Sequence, residues 1–405
     1  MKEKAIQHQS LKGYGFVMKS IYEVCETVTD YVAAGSFADL KKNVEYLSEP
    51  NYAQLIRTVD LKSGFLKGNF VYVNKKAFDY LWRVNLNCES IILPNIGNCG
   101  EVYYVVPEKL PYKNNVLATN AILVRSLKES NKYLFYTFQS KHFQDELKRI
   151  TSPVGQTKFN KTELKNIYIP IPSRKVQEEI VKILDSFTNL IDALNEELSL
   201  RQKQFEYYRE KLLTFDESNY VKISSICKRI VSGGTPKTTI DRYYQGNIPW
   251  LRTEEVDFCY VYETKKHITE EAIANSSTKM IPVNCVIIAM YGATAAKCCI
   301  NKIPLCTNQA CCNLEIDDTL ALYKFVFYNI CKEYEKLKSL GEGSQNNISG
   351  QKIKDYRIPI PSLSIQQSIV EKLDAFESLI SSLKEEIALR QKQYEYYREK
   401  LLTFD

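Results

Sequence analysis

Histidine is scarce in this chain of 405 residues: His8, His142 and His267 are the only three, and no two stand four apart on one helix, so a histidine metal site has nothing to build on. Motifs that would announce an enzyme are missing as well. There is no G-x-x-x-x-G-K-[ST] phosphate loop, no G-x-G-x-x-G after a strand, no G-x-S-x-G elbow, no His-Glu-x-x-His, no Asn-Pro-Pro-aromatic methyltransferase motif and no acidic nuclease cluster with lysine. No apolar run approaches the roughly 18 residues of a membrane span, and the start, MKEKAIQHQS, carries no apolar signal region, so a cytoplasmic protein with no membrane partner is expected. Twelve cysteines are present but none forms Cys-x-x-Cys. The nearest cluster, Cys298, Cys299, Cys306, Cys311 and Cys312, has adjacent pairs that suit strand packing rather than tetrahedral zinc, so reduced thiols and no metal are expected.

What is there is an ordinary globular composition, 44% hydrophobic and 25% charged, in a length that suits two or three domains. One feature governs it: the chain is a tandem duplication. Residues 169–216, IPIPSRKVQEEIVKILDSFTNLIDALNEELSLRQKQFEYYREKLLTFD, return 189 positions later at 358–405 with 32 of 48 positions identical, and Glu206–Asp216 matches Glu395–Asp405 without exception. Upstream, shorter marks keep the same order: Cys25 and Cys227, Gly35 and Gly233, Ile56-Arg57-Thr58 and Leu251-Arg252-Thr253, Gly97 and Gly292, Thr119-Asn120 and Thr307-Asn308, Gln156 and Gln345. Four segments follow: a globular domain at 1–168, a helix at 169–217, a second domain at 218–357 and a second helix at 358–405.

Each repeated segment opens on Ile-Pro-Ile-Pro, which keeps the chain extended, with Ser173 and Ser362 as N-caps and Ser364 with Gln367 as a capping-box alternative. No proline or glycine then interrupts a heptad stripe of Ile180, Leu184, Phe187, Ile191, Leu194, Leu198, Phe205, Tyr208 and Leu212, repeated as Ile369, Leu373, Phe376, Ile380, Leu383, Ile387, Tyr394, Tyr397 and Leu401. From Val176 to Thr214 such a helix would run for roughly 58 Å. Two helices that each need a partner along the whole seam pair most simply with one another, antiparallel, with a pseudo-two-fold axis and the globular domains at opposite ends. The one gap in each stripe is an arginine, Arg201 or Arg390, which either fixes register from a buried position or lies partly exposed over the seam.

The chain carries +6, but the helical segments 176–216 and 365–405 carry −4 and −2, leaving +12 for the two globular domains. A positive surface on two related modules fits a polyanion bound at two places. Ser90-Ile-Ile-Leu-Pro, Glu101-Val-Tyr-Tyr-Val-Val and Cys285-Val-Ile-Ile-Ala-Met read as strands, and Tyr133–Leu147 and Leu320–Leu340 as helices. Loops are the better places for contact. Gly233, Gly234, Thr235, Lys237 and Thr238 offer backbone amides, hydroxyls and a lysine; Gln156 and Lys158, and Gln345 and Asn347, offer side chains that read bases or phosphates; Arg57-Thr58 and Arg252-Thr253 are the best paired candidates for DNA contact, a structural role for the repeated motif being the other reading.

These parts in this order resemble the specificity subunit of type I restriction-modification enzymes over essentially the whole length. The resemblance rests on Gly233-Gly-Thr-Pro followed by Asn247-Ile-Pro-Trp250, on Thr307-Asn308-Gln309-Ala310, and on the helix openings Val176-Gln-Glu-Glu-Ile180 and Ile365-Gln-Gln-Ser-Ile369. The first domain departs from it, with Tyr31-Val-Ala-Ala-Gly-Ser-Phe37 in place of the Gly-Gly-Thr-Pro loop and Ala121 in place of Gln309. The resemblance implies an α+β fold in which two mixed, strand-rich target recognition domains are joined by two long helices pairing as an antiparallel coiled coil. It further implies that each domain reads half of a split, asymmetric double-stranded DNA target and that the helices set the gap, at most roughly 17 base pairs for a strut of about 58 Å. Two adenine-modifying subunits and then restriction and translocase subunits would be recruited, the S-adenosylmethionine, ATP and magnesium belonging to those partners and not to this non-catalytic chain. The competing class is a duplicated coiled-coil adaptor whose two domains bind protein.

Overall fold

A computed structural model describes residues 15–404 except 67, 153–156, 217–218 and 343–346. The chain divides into two compact units, one holding the chain up to Leu194 together with Glu386–Asp405, the other Asn195–Glu385. Each unit therefore contains one strand-rich domain and one half of each long helix.

In the first unit a four-stranded antiparallel sheet runs in the order Thr27–Asp30, Ala121–Arg125, Ser90–Pro94, Tyr103–Val105. A second sheet has Ala53–Ile56 at its centre, antiparallel to Val71–Val73 and parallel to Asn115–Leu117. The second unit repeats the plan with one strand added to each sheet. Cys227–Ser232, Cys311–Ile316, Val286–Ala289 and Cys298–Asn301 are extended by Cys259–Val261, and Ile248–Leu251 lies between antiparallel His267–Ile268 and parallel Leu305–Thr307, with Met280–Ile281 beyond. Shared strand order and shared mixed polarity extend the duplication beyond the near-identical helices, into segments where the sequence keeps only scattered marks.

Both faces of each larger sheet are buried, because side chains alternate along a strand. Ile91, Leu93, Ile122 and Val124 face a core shared with Tyr133, Leu134, Ile180 and Leu184, while Ile92 and Leu123 face Leu55, Ile56 and Val116 of the smaller sheet. The cysteines obey the same rule: Cys298 and Cys312 lie in the core that the helices cover, Cys299 and Cys311 in the core between the sheets. Burial raises these thiols, Cys312 to about 12, so they sit in the cores as protonated, compact apolar side chains.

The two expected helices near the domain ends are each two. Asn131–Gln139 and Lys141–Ile150 meet at Ser140, whose extended backbone ends one helix while its hydroxyl accepts the Phe143 N–H of the next. Tyr323–Lys332 and Tyr334–Ser339 meet at buried Glu333, which accepts from Tyr356 and pairs with Lys336.

The repeated segments form α1, Arg174–Leu212, and α2, Leu363–Leu402. Each starts directly after its proline pair and serine, the Ser173 and Ser362 carbonyls accepting the first helical N–H. The Ser364–Gln367 capping box does not form, since the Gln367 amide bonds Glu371 instead. In the first unit Phe187 stacks on Tyr397 at 5.2 Å, and in the second Tyr208 stacks on Phe376 at 5.4 Å. Moving along α1 moves backwards along α2, so the pairing is antiparallel. Phe187 and Phe376 are repeat equivalents, as are Tyr397 and Tyr208, so each stack is the other's image under the duplication. Of the seam residues, Leu184, Ile191, Leu373 and Leu383 are buried and Phe187, Leu194, Leu198, Phe376, Ile380 and Ile387 half-buried. Arg201 is half-buried and bonded along its own helix to Glu197 and Gln204, and Arg390 likewise to Glu386 and Gln393. Of the two readings of these arginines, the partly exposed one matches this geometry.

Candidate nucleic-acid interface

In each domain, loops that lie far apart in sequence converge at one end of the sheets. In the first domain Ala118 N–H donates to the Ile56 carbonyl at 2.8 Å, joining the 118–120 loop to the Arg57-Thr58 turn. Asn95 N–H donates to the Asn120 carbonyl, Gly97 N–H to the Thr157 carbonyl, and Thr157 Oγ1 returns a bond to the Gly97 carbonyl. Lys62 pairs with Glu101, tying the segment after Arg57 to the same loop. Gly97 and Gly100 have φ of 86° and 107°, the left-handed backbone by which this loop makes its tight reversal.

The second domain assembles the same set. Asn308 N–H donates to the Leu251 carbonyl, Thr294 Oγ1 to the Thr253 carbonyl at 2.8 Å, Met290 N–H to the Ala310 carbonyl, and Ile348 N–H to the Met290 carbonyl at 2.8 Å. Thr235 Oγ1 bonds Gln309, bringing the Gly-Gly-Thr-Pro loop onto this end. Segments flagged one at a time in the sequence thus share one polar surface in each domain.

Within that surface the candidates differ in what they can offer. Lys158, Lys237 and Thr238 are exposed, and Thr58, Thr235, Thr253 and Asn347 half-exposed. Gly233 and Gly234 are buried, and their N–H groups already serve the Cys311 and Thr307 carbonyls, so the amides expected of them are not free for a ligand. Their smallness has a packing reason: a Cβ on Gly233 would stand 2.1 Å from the Thr307 carbonyl oxygen, and one on Gly234 2.4 Å from the Thr278 nitrogen. Gln156 and Gln345 lie outside the described residues. Ser152 with Lys158, and Glu342 with Asn347, bridge the chain on either side of those segments.

The paired arginines make contacts within their own turns. Arg57 grips buried Asp60 through Nε and Nη2, at 3.0 and 2.8 Å, and reaches the Asn69 carbonyl at 2.8 Å. The Asp60 carboxylate holds the guanidinium above its ordinary value. Arg252 repeats the turn, its N–H donating to Glu255, while its guanidinium contacts Glu254 at 3.3 Å and stays partly open. Both turns pass into a phenylalanine with left-handed backbone, Phe65 at φ 60° and Phe258 at φ 50°. The two arginine side chains are similarly open, 33% exposed for Arg57 and 36% for Arg252.

Two glutamines of the helix openings, whose role the sequence did not show, join each domain to its own helix. Gln177 is fully buried, donating to Glu129 and the Pro172 carbonyl and accepting from Ser130 N–H. Its repeat equivalent Gln366 donates to the Leu320 and Pro361 carbonyls and accepts from Leu322 N–H at 2.8 Å. The signal was available: Gln is kept in both copies at a helix start, one turn from neighbours that differ.

No helix among the described residues is long and apolar enough to cross a membrane, and no group of three or more metal-ligating side chains occurs among them. The sequence profile of the type I restriction modification DNA specificity domain matches residues 15–200 and again 216–389. The chain is 38% identical over 258 residues to the EcoR124I/EcoR124II type I restriction enzyme specificity subunit of Escherichia coli, covering 59% of this chain and 63% of that one, so the match leaves over a third of the relative unspanned. It is 32% identical over 313 residues to a putative type I restriction enzyme specificity subunit of Haemophilus influenzae, covering 71% and 76%. In fold it is similar to the S subunit of the type I restriction-modification system of Mycoplasma genitalium, with a TM-score of 0.58 at 14% identity over 97% of both chains. A chain from a study of type I assembly and conformational transition gives 0.62 at 13% identity over 96% of this chain and 97% of that one. With its profile matched twice, once over each copy of the duplication, the chain belongs to the type I restriction-modification specificity subunits.

Proposed function

We propose that this chain is the non-catalytic reading subunit of a cytoplasmic type I restriction-modification assembly, recognising a split, asymmetric duplex DNA target with one domain on each half. The carrying observation is the contrast between the copies. Both domains keep one strand order and join corresponding loops at one end, yet the first has Tyr31-Val-Ala-Ala-Gly-Ser-Phe37 where the second has the Gly-Gly-Thr-Pro loop followed by Lys237-Thr238, and Ala121 where the second has Gln309. A kept scaffold with exchanged loop side chains is what reading two different half-sites requires.

The helices support the partner half of the reading. Leu190, Leu200 and Tyr207 are exposed on α1, and their equivalents Leu379, Leu389 and Tyr396 are exposed on α2, away from the paired seam. Apolar side chains kept in two copies and left open to solvent suit two identical modification subunits. In the second unit a groove of about 440 Å³ lined by Lys211, Leu212, Phe215, Ile365, Ile369 and Lys372 adds apolar surface. Adenine methylation, DNA translocation and cleavage, with their S-adenosylmethionine, ATP and magnesium, fall to those partners and to the restriction subunits.

Methylome sequencing tests the reading. A host carrying this gene and its modification partner is compared with one lacking only this gene. The expected result is a split adenine-methylated motif that vanishes on deletion; an unchanged methylome with both proteins expressed overturns it in favour of a protein-binding adaptor.

A further inference from the structure

Besides a shared apolar core, each domain is tied to its own helix by polar contacts at two points, and the second point is itself a duplicated device. In the first unit Tyr136 donates to Asp185 of α1, Lys132 Nζ stands 3.4 Å from the same carboxylate, and Thr188 Oγ1 lies 3.4 Å from the tyrosine hydroxyl. In the second unit Tyr328 donates to Asp374 of α2 at 2.7 Å and Lys324 pairs with its other oxygen at 2.5 Å. Lysine and tyrosine stand four apart on the domain's helix, so both reach one acid on the long helix. Tyr136 and Tyr328 are buried at 0% and 1% exposure, which holds the hydroxyls in place by packing. The two copies differ one turn further on, where Glu377 facing Tyr260 at 3.4 Å replaces Thr188.

The geometry points to a positioning role for this lysine–tyrosine–aspartate latch: it fixes the tilt of each domain on its helix and thereby the spacer length that the two half-sites must have. The inference rests on the specificity reading above. Gln177 and Gln366 hold the domain at the helix start, and the apolar contacts of Ile180 and Leu184, or of Ile369 and Leu373, are non-directional, so a second polar point is what sets the tilt. Asp185 and Asp374, eight residues further along or roughly 12 Å at 1.5 Å per residue, supply that point. A domain of about 150 residues has a radius of gyration of roughly 15 Å. At that radius a tilt of roughly 13° carries the reading loops about 3.4 Å, one base-pair step. Apolar packing has no preferred direction, whereas a lysine and a tyrosine held on one carboxylate fix a definite geometry.

The test uses the full chain assembled with two modification subunits, and duplexes carrying the half-sites read from the host methylome at the native spacer and at one base pair shorter and longer. Initial rates of adenine methylation are measured for Asp185→Asn and Asp374→Asn, and for Tyr136→Phe and Tyr328→Phe, which keep the buried ring and lose only the hydroxyl. The expected result is that preference for the native spacer falls about tenfold, equivalent to about 1.4 kcal/mol, while the rate on the native duplex stays within about threefold. An unchanged spacer preference in both sets of variants overturns the proposal, even if all rates fall, because a merely structural residue lowers every rate alike. Should an asparagine variant fail to fold, the phenylalanine variants decide. A wild-type assembly that methylates no duplex at any spacer sinks the specificity reading, and this proposal with it.

Discussion

Replacing Gln366 with leucine keeps the volume of a fully buried side chain and deletes three hydrogen bonds, to the Leu320 and Pro361 carbonyls and from Leu322 N–H. A typical bond of this kind contributes a net ~1 kcal/mol, and a buried partner left unsatisfied costs more. The partners here are in part near solvent, so the loss is set at about 2–3 kcal/mol. For a unit of roughly 190 residues that lowers the melting temperature by about 5–10 °C. Thermal unfolding of the full chain, followed by circular dichroism, reads it directly. Gln367→Leu is the control: it is exposed with one bond to Glu371, and a shift within about 2 °C is expected. Equal shifts for the two substitutions would refute the claim that the kept glutamine clamps the helix start to its domain.

Gly234→Ala drives a Cβ into the Ser277–Thr278 backbone and destabilises the second domain by ~3 kcal/mol or more, measured as loss of folded chain in urea titration. Lys237→Ala, on the same loop but exposed, leaves stability within about 0.5 kcal/mol and reduces the salt slope of duplex binding by about one. Burial raises Glu377 above the ordinary carboxylate range, with Asp374 adding to it and Tyr328, Lys324 and Tyr260 opposing. Its contribution is therefore fully present below the unfolded value of 4.5 and is lost as pH rises through the raised one. Glu377→Gln should melt higher than the native chain at pH 7 and no differently at pH ~4. Leu200→Asp and Leu389→Asp, both exposed, leave the melting temperature unchanged and weaken capture of modification subunits in a pull-down titration, whereas Leu184→Ala at the buried seam costs about 2–5 kcal/mol of stability.

The helices and their duplication were legible because a heptad stripe is a local pattern, readable from Ile180 to Leu212 without knowing what lies opposite. Strand pairing was less so: the parallel neighbours Ala53–Ile56 and Asn115–Leu117 stand some 60 residues apart, and nothing local announces their register. Apolar periodicity alone joined Tyr133 to Leu147, since it does not register a serine whose hydroxyl starts a new helix at Phe143. Gly233 and Gly234 have a packing reason that sequence could not show: a side chain there would meet the Thr307 and Thr278 backbones. The pairing of Arg57 with Asp60, three residues on and wholly buried, was not legible from the sequence because burial of the acid is set by the fold. The latch was hidden by arithmetic, Tyr136 and Tyr328 being 192 apart while Asp185 and Asp374 are 189 apart, so only the folded chain sets them side by side.

Exchange of one domain tests the central claim most directly. Residues 15–168 are replaced with the matching domain of a relative that has a different known target, both helices and the second domain are kept, and the host methylome is read again. One half of the split motif should change to the donor's while the other half stays as it was. Change in both halves, or in neither, would contradict the assignment of one half-site to each domain.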